Sequence, residues 1–389
     1  MISISFAGKS IPFLVLASAL GLLPSAPVHA RQVVPVSDMA ALYAAVNNSA
    51  NTGALVTLAP GVYMLDQNNV HGGRLELQAD MALQGSAGNP EDAVIDASAL
   101  PASSYSVPGF TTGAVRTGRG SNSIEWLTVR GAVRGASGIA TDLVSGPTAQ
   151  VRVAHVIARG NARGLDARNI SGASAGRVLE LDVADNLFVD NVVGAGQGLR
   201  MVNSDASGAT IRATLVGNRS IGNIAGCIAA NINTLGASVT IRSQADRFEG
   251  NGNGCVFLAG LSQAAATTHA DDNVLIFEAY ASTFEHNLGA LPPAFPIAAG
   301  ILAIGGQSLG GANRASGNTL HVGLWGAKLG DNGGADIKAY GAFTAASLPA
   351  GSDNEVTIEL HGVSKQAIVP EPANVPAEVG GTNTVTLIR

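Results

Sequence analysis

Short segments with apolar residues at strand-like spacing dominate the chain after its first thirty residues. They fall at Leu55–Leu58, Leu75–Leu77, Met81–Leu83, Val94–Ile95 and Ile124–Val129, with Pro60-Gly61-Val62-Tyr63 between the first two. One stretch departs from this pattern. Ser37 and Asp38 are N-cap residue types, and Met39, Leu42 and Val46 then recur at helical spacing, which predicts a short helix over about 38–47. Such a helix would cover the open edge of the first strands.

The segments also repeat. A small polar residue followed three positions later by Gly occurs at Gly135, Asn161, Asn191, Asn223 and Asn251, at steps of 26, 30, 32 and 28 residues. Asn287 and Asn332 continue the series at longer steps, and these predict loops over Ala290–Pro296 and Gly305–Ala312. Phe188, Phe248, Phe284 and Leu329 each stand three residues before one of these Asn. A second column, Asn273, Asn318, Asn354 and Asn383, opens strands with apolar residues at +2 and +4, such as Leu275 and Phe277. A period near 30 with strand patterning, without long helical stretches or a Leu framework, predicts a solenoid. The expected fold is all-β: a right-handed, single-stranded parallel β-helix with an N-terminal capping helix. Roughly ten coils at ~4.8 Å per rung give a stack about 50 Å long. The Asn are expected to take the left-handed conformation at turns and to hydrogen-bond along the stack.

Composition agrees with one such domain despite the 389 residues. The chain is 46% hydrophobic but only 4% aromatic, with 49 Gly, which suits thin layers of small side chains and many turns. The first 30 residues read as a signal peptide: Lys9 is the single charge, an apolar run spans Ile11–Leu23, and Val28-His29-Ala30 ends a breaker-rich tail. The mature domain is then 31–389, in a periplasmic or extracellular location, and a monomer is expected. Past the leader no apolar run approaches the roughly 18 residues of a membrane helix. The net charge of −6, or −7 once Lys9 is removed, disfavours nucleic acid as a partner.

Aligning the coils on the Asn places Gln150, Glu180, Arg212 and Thr240 in one row and Arg152, Asp182, Thr214 and Arg242 in the next. Arg152, Glu180, Asp182, Arg212 and Arg242 should therefore form one outward patch of mixed sign. That patch is either a saccharide site, with Arg gripping a carboxylate, or a Ca²⁺ site, with the acidic groups as oxygen ligands, or a charge ladder worth a few tenths of a kcal/mol per pair. Nine of the 18 Arg lie between Arg116 and Arg177, which favours those coils for a site. Asp142 over Arg168, with Asp166 and Arg200, makes a second patch. Cys227 and Cys255 lie one coil apart in an inward column with Ile139 and Leu165. They fit either a disulfide or a pair of buried thiols. Two Cys without a His in register make no zinc site, so no metal is assigned. Ser174 and Ser308 sit in Gly-x-Ser-x-Gly matches that read as turns, and Trp126 and Trp325 read either as packing or as stacking surfaces for sugar rings.

The capping helix, the run from Leu55 to Tyr63, Ile124–Val129 and the Asn-x-x-Gly coils together resemble the pectate-lyase-like right-handed parallel β-helix superfamily. The likeness extends over nearly all of residues 35–389. It implies the fold, while the superfamily's activities range over lyases, hydrolases, esterases and epimerases acting on polysaccharides, alongside non-catalytic surface proteins. The hydrolase branch's motifs do not appear, since Asp271-Asp272 stands alone. Lys328, Lys338 and Lys365 share no column from which a lyase base could be carried over. Two functions follow as expectations. One is an exported β-helix with a structural role or a glycan or cell-surface binding role, without cofactor. The other is a polysaccharide-active enzyme, a lyase for an acidic glycan, for which Ca²⁺ would be the cofactor.

Overall fold

The computed structural model describes residues 31–106, 113–133, 135–170, 175–194, 196–263, 268–287, 299–309, 313–344, 351–363, 368–373 and 383–389. The leader over 1–30, Ser174 and the loop expected over Ala290–Pro296 lie outside these residues. The described chain from Gln32 onward forms one unit, a parallel β-helix.

Each coil contributes strands to three faces. The first face carries seven-residue strands such as Val178–Ala184, Thr210–Val216, Ser238–Gln244 and Val274–Tyr280, with alternate residues buried. The second carries short strands from Gly61–Met64 to Lys328–Gly330. The third carries strands such as Arg163–Ile170, Gln197–Ser204, Ala225–Ile232 and Asn253–Ser262. Two long strands, Gly113–Glu125 and Ser137–Ala154, bend from the third face round to the first. Among the described residues the second face has nine strands, slightly fewer rungs than the ten coils expected. The helix Met39–Asn47 begins at Asp38, whose carboxylate accepts from the Ala41 amide at 2.8 Å, and its Leu42 and Val46 are fully buried.

The Asn columns are hydrogen-bonded ladders. The backbone amide of Asn191 donates to Asn223 Oδ1 at 3.0 Å, that of Asn223 to Asn251 Oδ1 at 2.9 Å, and the row continues through Asn287 to Asn332. Each side-chain amide also donates back to the preceding coil, as Asn223 does to the Phe188 carbonyl at 3.0 Å. Asn273, Asn318, Asn354 and Asn383 form the second ladder. Two further ladders have no counterpart in the sequence reading: Asn169, Asn203 and Asn231 on the third face, and Asn186, Asn218 and Asp246 where the first face meets the second.

Several expectations are corrected. The left-handed residue at the corner after the second face is the one before the ladder Asn: Gly160, Asp190, Gly222, Gly250, His286 and Asp331. Ladder Asn instead keep ordinary backbone so that their amides can point along the stack. Ile124–Val129 is not one strand. It breaks at Trp126, whose φ of 57° turns the chain from the first face to the second. That strained corner is supported by the Trp126 ring stacking on His155 of the next coil, with centroids 3.9 Å apart. Gly61–Met64 is a strand, and Gly305 to Ser308 belong to the strand Ile301–Ser308 rather than to a loop.

Inside the helix, Phe188, Phe248 and Phe284 fill the second-face positions and are fully buried. The outer side of the third face divides in two. Its register row runs from Glu76 through Arg116, Ala140, Asp166 and Arg200, then continues as Ile228, Val256 and Leu302. The later part forms a second apolar cluster outside the core, with Leu258, Ile304 and Tyr340. The earlier part carries the charges.

Candidate anion-binding site

The five first-face residues singled out from the sequence stand in the expected register. Glu180 lies between Gln150 and Arg212, and Asp182 between Arg152 and Thr214. Each charge meets an opposite one on a neighbouring rung: Arg152 with Asp182 and with Glu125 at 3.3 Å, Arg212 with Glu180 at 3.5 Å, and Arg242 with Glu278 at 3.1 Å. Three guanidinium groups face four carboxylates along this row, so it carries no excess of positive charge.

The third face differs in both burial and balance. Arg116 grips Asp142 through two bonds of 2.9 Å and reaches Glu76 at 3.4 Å. Arg74 and Arg119 also point at Glu76, at 3.2 and 3.6 Å, and His71 lies 3.7 Å from it. One coil on, Arg168 binds Asp166 through Nε at 2.8 Å, with Arg200 at 3.6 Å and Arg163 at 3.7 Å. Six guanidinium groups thus converge on three buried carboxylates. The Glu76 and Asp166 centres join through Asp142, which stands in register beside Arg168.

Strand alternation explains the convergence. Arg74 and Glu76 are two residues apart on one edge, as are Asp166 and Arg168, so each pair emerges on the same side of the sheet. Parallel registry then stacks Glu76 beside Arg116, and Asp166 beside Arg200. The electrostatics follow. Burial by itself would raise the Asp166 carboxyl, but Arg168, Arg200 and Arg163 outweigh it and hold the group well below the ordinary carboxylate range. Burial pulls the Arg200 guanidinium down to about 9, because one shared carboxylate does not offset both desolvation and the neighbouring Arg168 and Arg163. Arg163 and Arg74 are lowered for the same first reason, burial. At Arg74 the deficit is visible in the bonding: Nη1 is buried without a partner, and so is the Tyr105 hydroxyl nearby.

Such a cluster can grip carboxylates, because guanidinium is a donor-only fork that matches their geometry. Among the described residues no group of three or more His, Cys, Asp or Glu side chains is placed to hold a metal ion. A recess of about 340 Å³ opens beside the second face, but there Arg130 already binds Asp96 at 2.8 Å and Arg159 binds Glu91 at 2.9 Å.

No family model matches the chain, and no curated protein matches it. Solved structures similar to it include the A-module of mannuronan C-5 epimerase AlgE6 from Azotobacter vinelandii, at 14% identity and a TM-score of 0.37, covering 91% of this chain and 96% of that one. Pectate lyase Pel9A is similar at 15% identity and a TM-score of 0.38, covering 88% and 80%. An alginate lyase from Paenibacillus is similar at 12% identity and a TM-score of 0.29, covering 88% and 99%. These are distant likenesses that span most of each chain.

Of this cluster, the sequence reading names Asp142, Asp166, Arg168 and Arg200 as its second patch and places a site among the Arg-rich coils. It misses Arg74, Glu76, Arg119, Arg163 and Tyr105. The Arg-x-Glu spacing at 74–76 is the available signal. Elsewhere, Cys227 and Cys255 are register partners, fully buried, and are thiols in this structure. Burial and the neighbouring Cys227 push the Cys255 thiol well up. Ser308 is buried and donates to the Asn313 carbonyl at 2.9 Å, as a structural hydroxyl does. Trp325 stacks between Tyr280 and His361, with centroids 4.8 and 5.8 Å away.

Proposed function

We propose that this β-helix is an exported protein that binds an acidic glycan along its third face, with the partly exposed Arg119, Arg163, Arg168 and Arg200 as the gripping residues and Arg74 and Arg116 buried behind them. The observation that carries the reading is the charge imbalance: six guanidinium groups share three carboxylates there, in a chain whose net charge is −6. The row from Glu76 to Arg200 crosses five rungs, about 20 Å at ~4.8 Å per rung, which suits an extended polymer with regularly spaced carboxylates. Nucleic acid is a poorer fit, because single strands need aromatic stacking platforms and the one tyrosine in the cluster is buried.

Titration calorimetry of residues 31–389 with uronate polymers and neutral glucans tests the proposal. Binding of the acidic polymers alone, weakened by salt and by about tenfold in Arg168→Gln, is expected. Equal binding of neutral and acidic polymers, or of neither, would overturn it. A second reading, a lyase, is favoured by one observation: Arg200 stands 3.6 Å from Asp166 with Arg163 and Arg168 converging on the same carboxylate, and this crowding together with burial loosens its proton. Mass spectrometry of digests, with and without Ca²⁺, distinguishes the two, since unsaturated oligosaccharides appear only if a lyase is at work.

A further inference from the structure

The recess beside the second face lies at the corner where successive coils turn toward the third. In coil order Asp96 and Ser98 come first and Asp190 last, with Arg130, Arg159 and the corner glycines Gly131 and Gly160 between them. Both glycines have left-handed backbone, with φ of 76° and 62°. A Cβ at Gly131 would stand 2.8 Å from the Ser98 nitrogen, whereas one at Gly160 would meet nothing. Two consecutive coils thus carry no side chain at this corner, which leaves the recess open. Its volume of about 340 Å³ is at the lower end of the roughly 300–1,000 Å³ of ligand pockets, a size for a small molecule rather than a polymer.

Arg130 and Arg159 are register partners on adjacent rungs, about 4.8 Å apart along the stack. Like charges placed opposite each other in a sheet are unfavourable. Each arginine is held by its own carboxylate, Arg130 through Nε by Asp96 at 2.8 Å and Arg159 through Nη1 by Glu91 at 2.9 Å. Those bonds use one nitrogen of each guanidinium. Both Nη atoms of Arg130, and Nε and Nη2 of Arg159, have no partner among the described residues. The two side chains are 37% and 39% exposed, so a ligand in solution reaches them. Asp96 is spent, since its other oxygen accepts from the Ser98 amide at 2.9 Å. Asp190 is exposed and forms no ion pair among the described residues.

We propose that this recess binds a small hydroxylated carboxylate, a free sugar acid of one or two rings, with its carboxylate on Arg130 and Arg159 and its hydroxyls on Asp190 and Ser98. The spare guanidinium donors match the two oxygens of a carboxylate, and Asp190, which only accepts, needs the donors that hydroxyls supply. Two arginines and two aspartates line the recess, so a dianion such as phosphate meets as much negative charge as positive. The site is separate from the third face and stands independently of the reading given to that face.

The test is calorimetry of the protein with galacturonate, glucose and inorganic phosphate in turn, alongside polygalacturonate. Galacturonate is expected to bind more tightly than either control. Arg159→Gln should weaken it about tenfold and leave the affinity for polygalacturonate unchanged. Arg159 pairs with an exposed Glu91, so the variant should fold, as circular dichroism and thermal melting would check. Galacturonate bound no better than glucose or phosphate, or unaffected by Arg159→Gln, would overturn the recess and leave the third-face reading standing. Binding of galacturonate without binding of polygalacturonate would instead remove the third-face reading and keep the recess.

Discussion

Asp246 occupies a ladder position that Asn holds in the two preceding coils, and replacing it with Asn should stabilise the protein at neutral pH. The carboxylate is fully buried. It accepts from the Asn218 amide at 2.7 Å, from Asn218 Nδ2 at 2.9 Å and from Ser243 at 2.6 Å. Burial nevertheless raises it from 3.8 to about 6, because these neutral donors do not outweigh desolvation. An acid with a raised folded pKa binds its proton more tightly when folded. Its contribution is therefore most favourable below about 4, and is lost as pH rises from there through about 6. The loss is worth about 3 kcal/mol at ~1.4 kcal/mol per pH unit. Asp246→Asn would avoid that cost and would lose the acceptor of the Ser243 bond, about 1 kcal/mol. The net expectation is a gain of about 2 kcal/mol at pH 8 that turns into a loss of about 1 kcal/mol near pH 4. Urea unfolding of both proteins at pH 4.5, 6 and 8 measures the difference directly. A variant less stable than the parent at pH 8, or a difference that does not change with pH, would refute the reasoning.

Other expectations follow from the same geometry. Asn223→Ala removes the acceptor of two Asn191 donors and the donor to Phe188, and should cost about 3 kcal/mol in urea unfolding; a loss below about 1 kcal/mol would deny the ladder its structural role. Arg200→Gln should weaken binding of uronate oligosaccharides by about tenfold in calorimetry, and unchanged affinity would remove Arg200 from the binding face. On the first face, Arg152→Ala should change stability by about 1 kcal/mol or less and leave glycan affinity unaltered, since its pairs are largely exposed and the row has no positive excess. The thiols of Cys227 and Cys255 should resist a thiol reagent in the native protein and react on unfolding. A mass lower by two hydrogens, with no uptake after unfolding, would show instead that they have closed into a disulfide.

The coil itself is legible in the sequence. In a solenoid each residue's neighbour across the sheet lies one period away, so a repeating Asn with a Phe three residues before it fixes register by counting. That is why the rows of Glu180 with Arg212 and of Cys227 with Cys255 follow from the repeat alone, and why the helix after Asp38 is readable from its cap and spacing. Counting works only where the period holds. Before Asn161 there is no Asn ladder to count from, and the strand Gly113–Glu125 shifts register at Thr117 and again at Arg119 as it bends between faces. Arg74, Glu76 and Arg116 come together across those irregular coils, so only the tertiary structure brings them onto one centre. The same holds for burial. Nothing in the sequence marks Asp246 as buried, and its cost appears only when a closed core removes it from water. The imbalance of charge on the third face is likewise decided by packing, because a list of Arg and Asp positions gives their number but not which of them share a carboxylate.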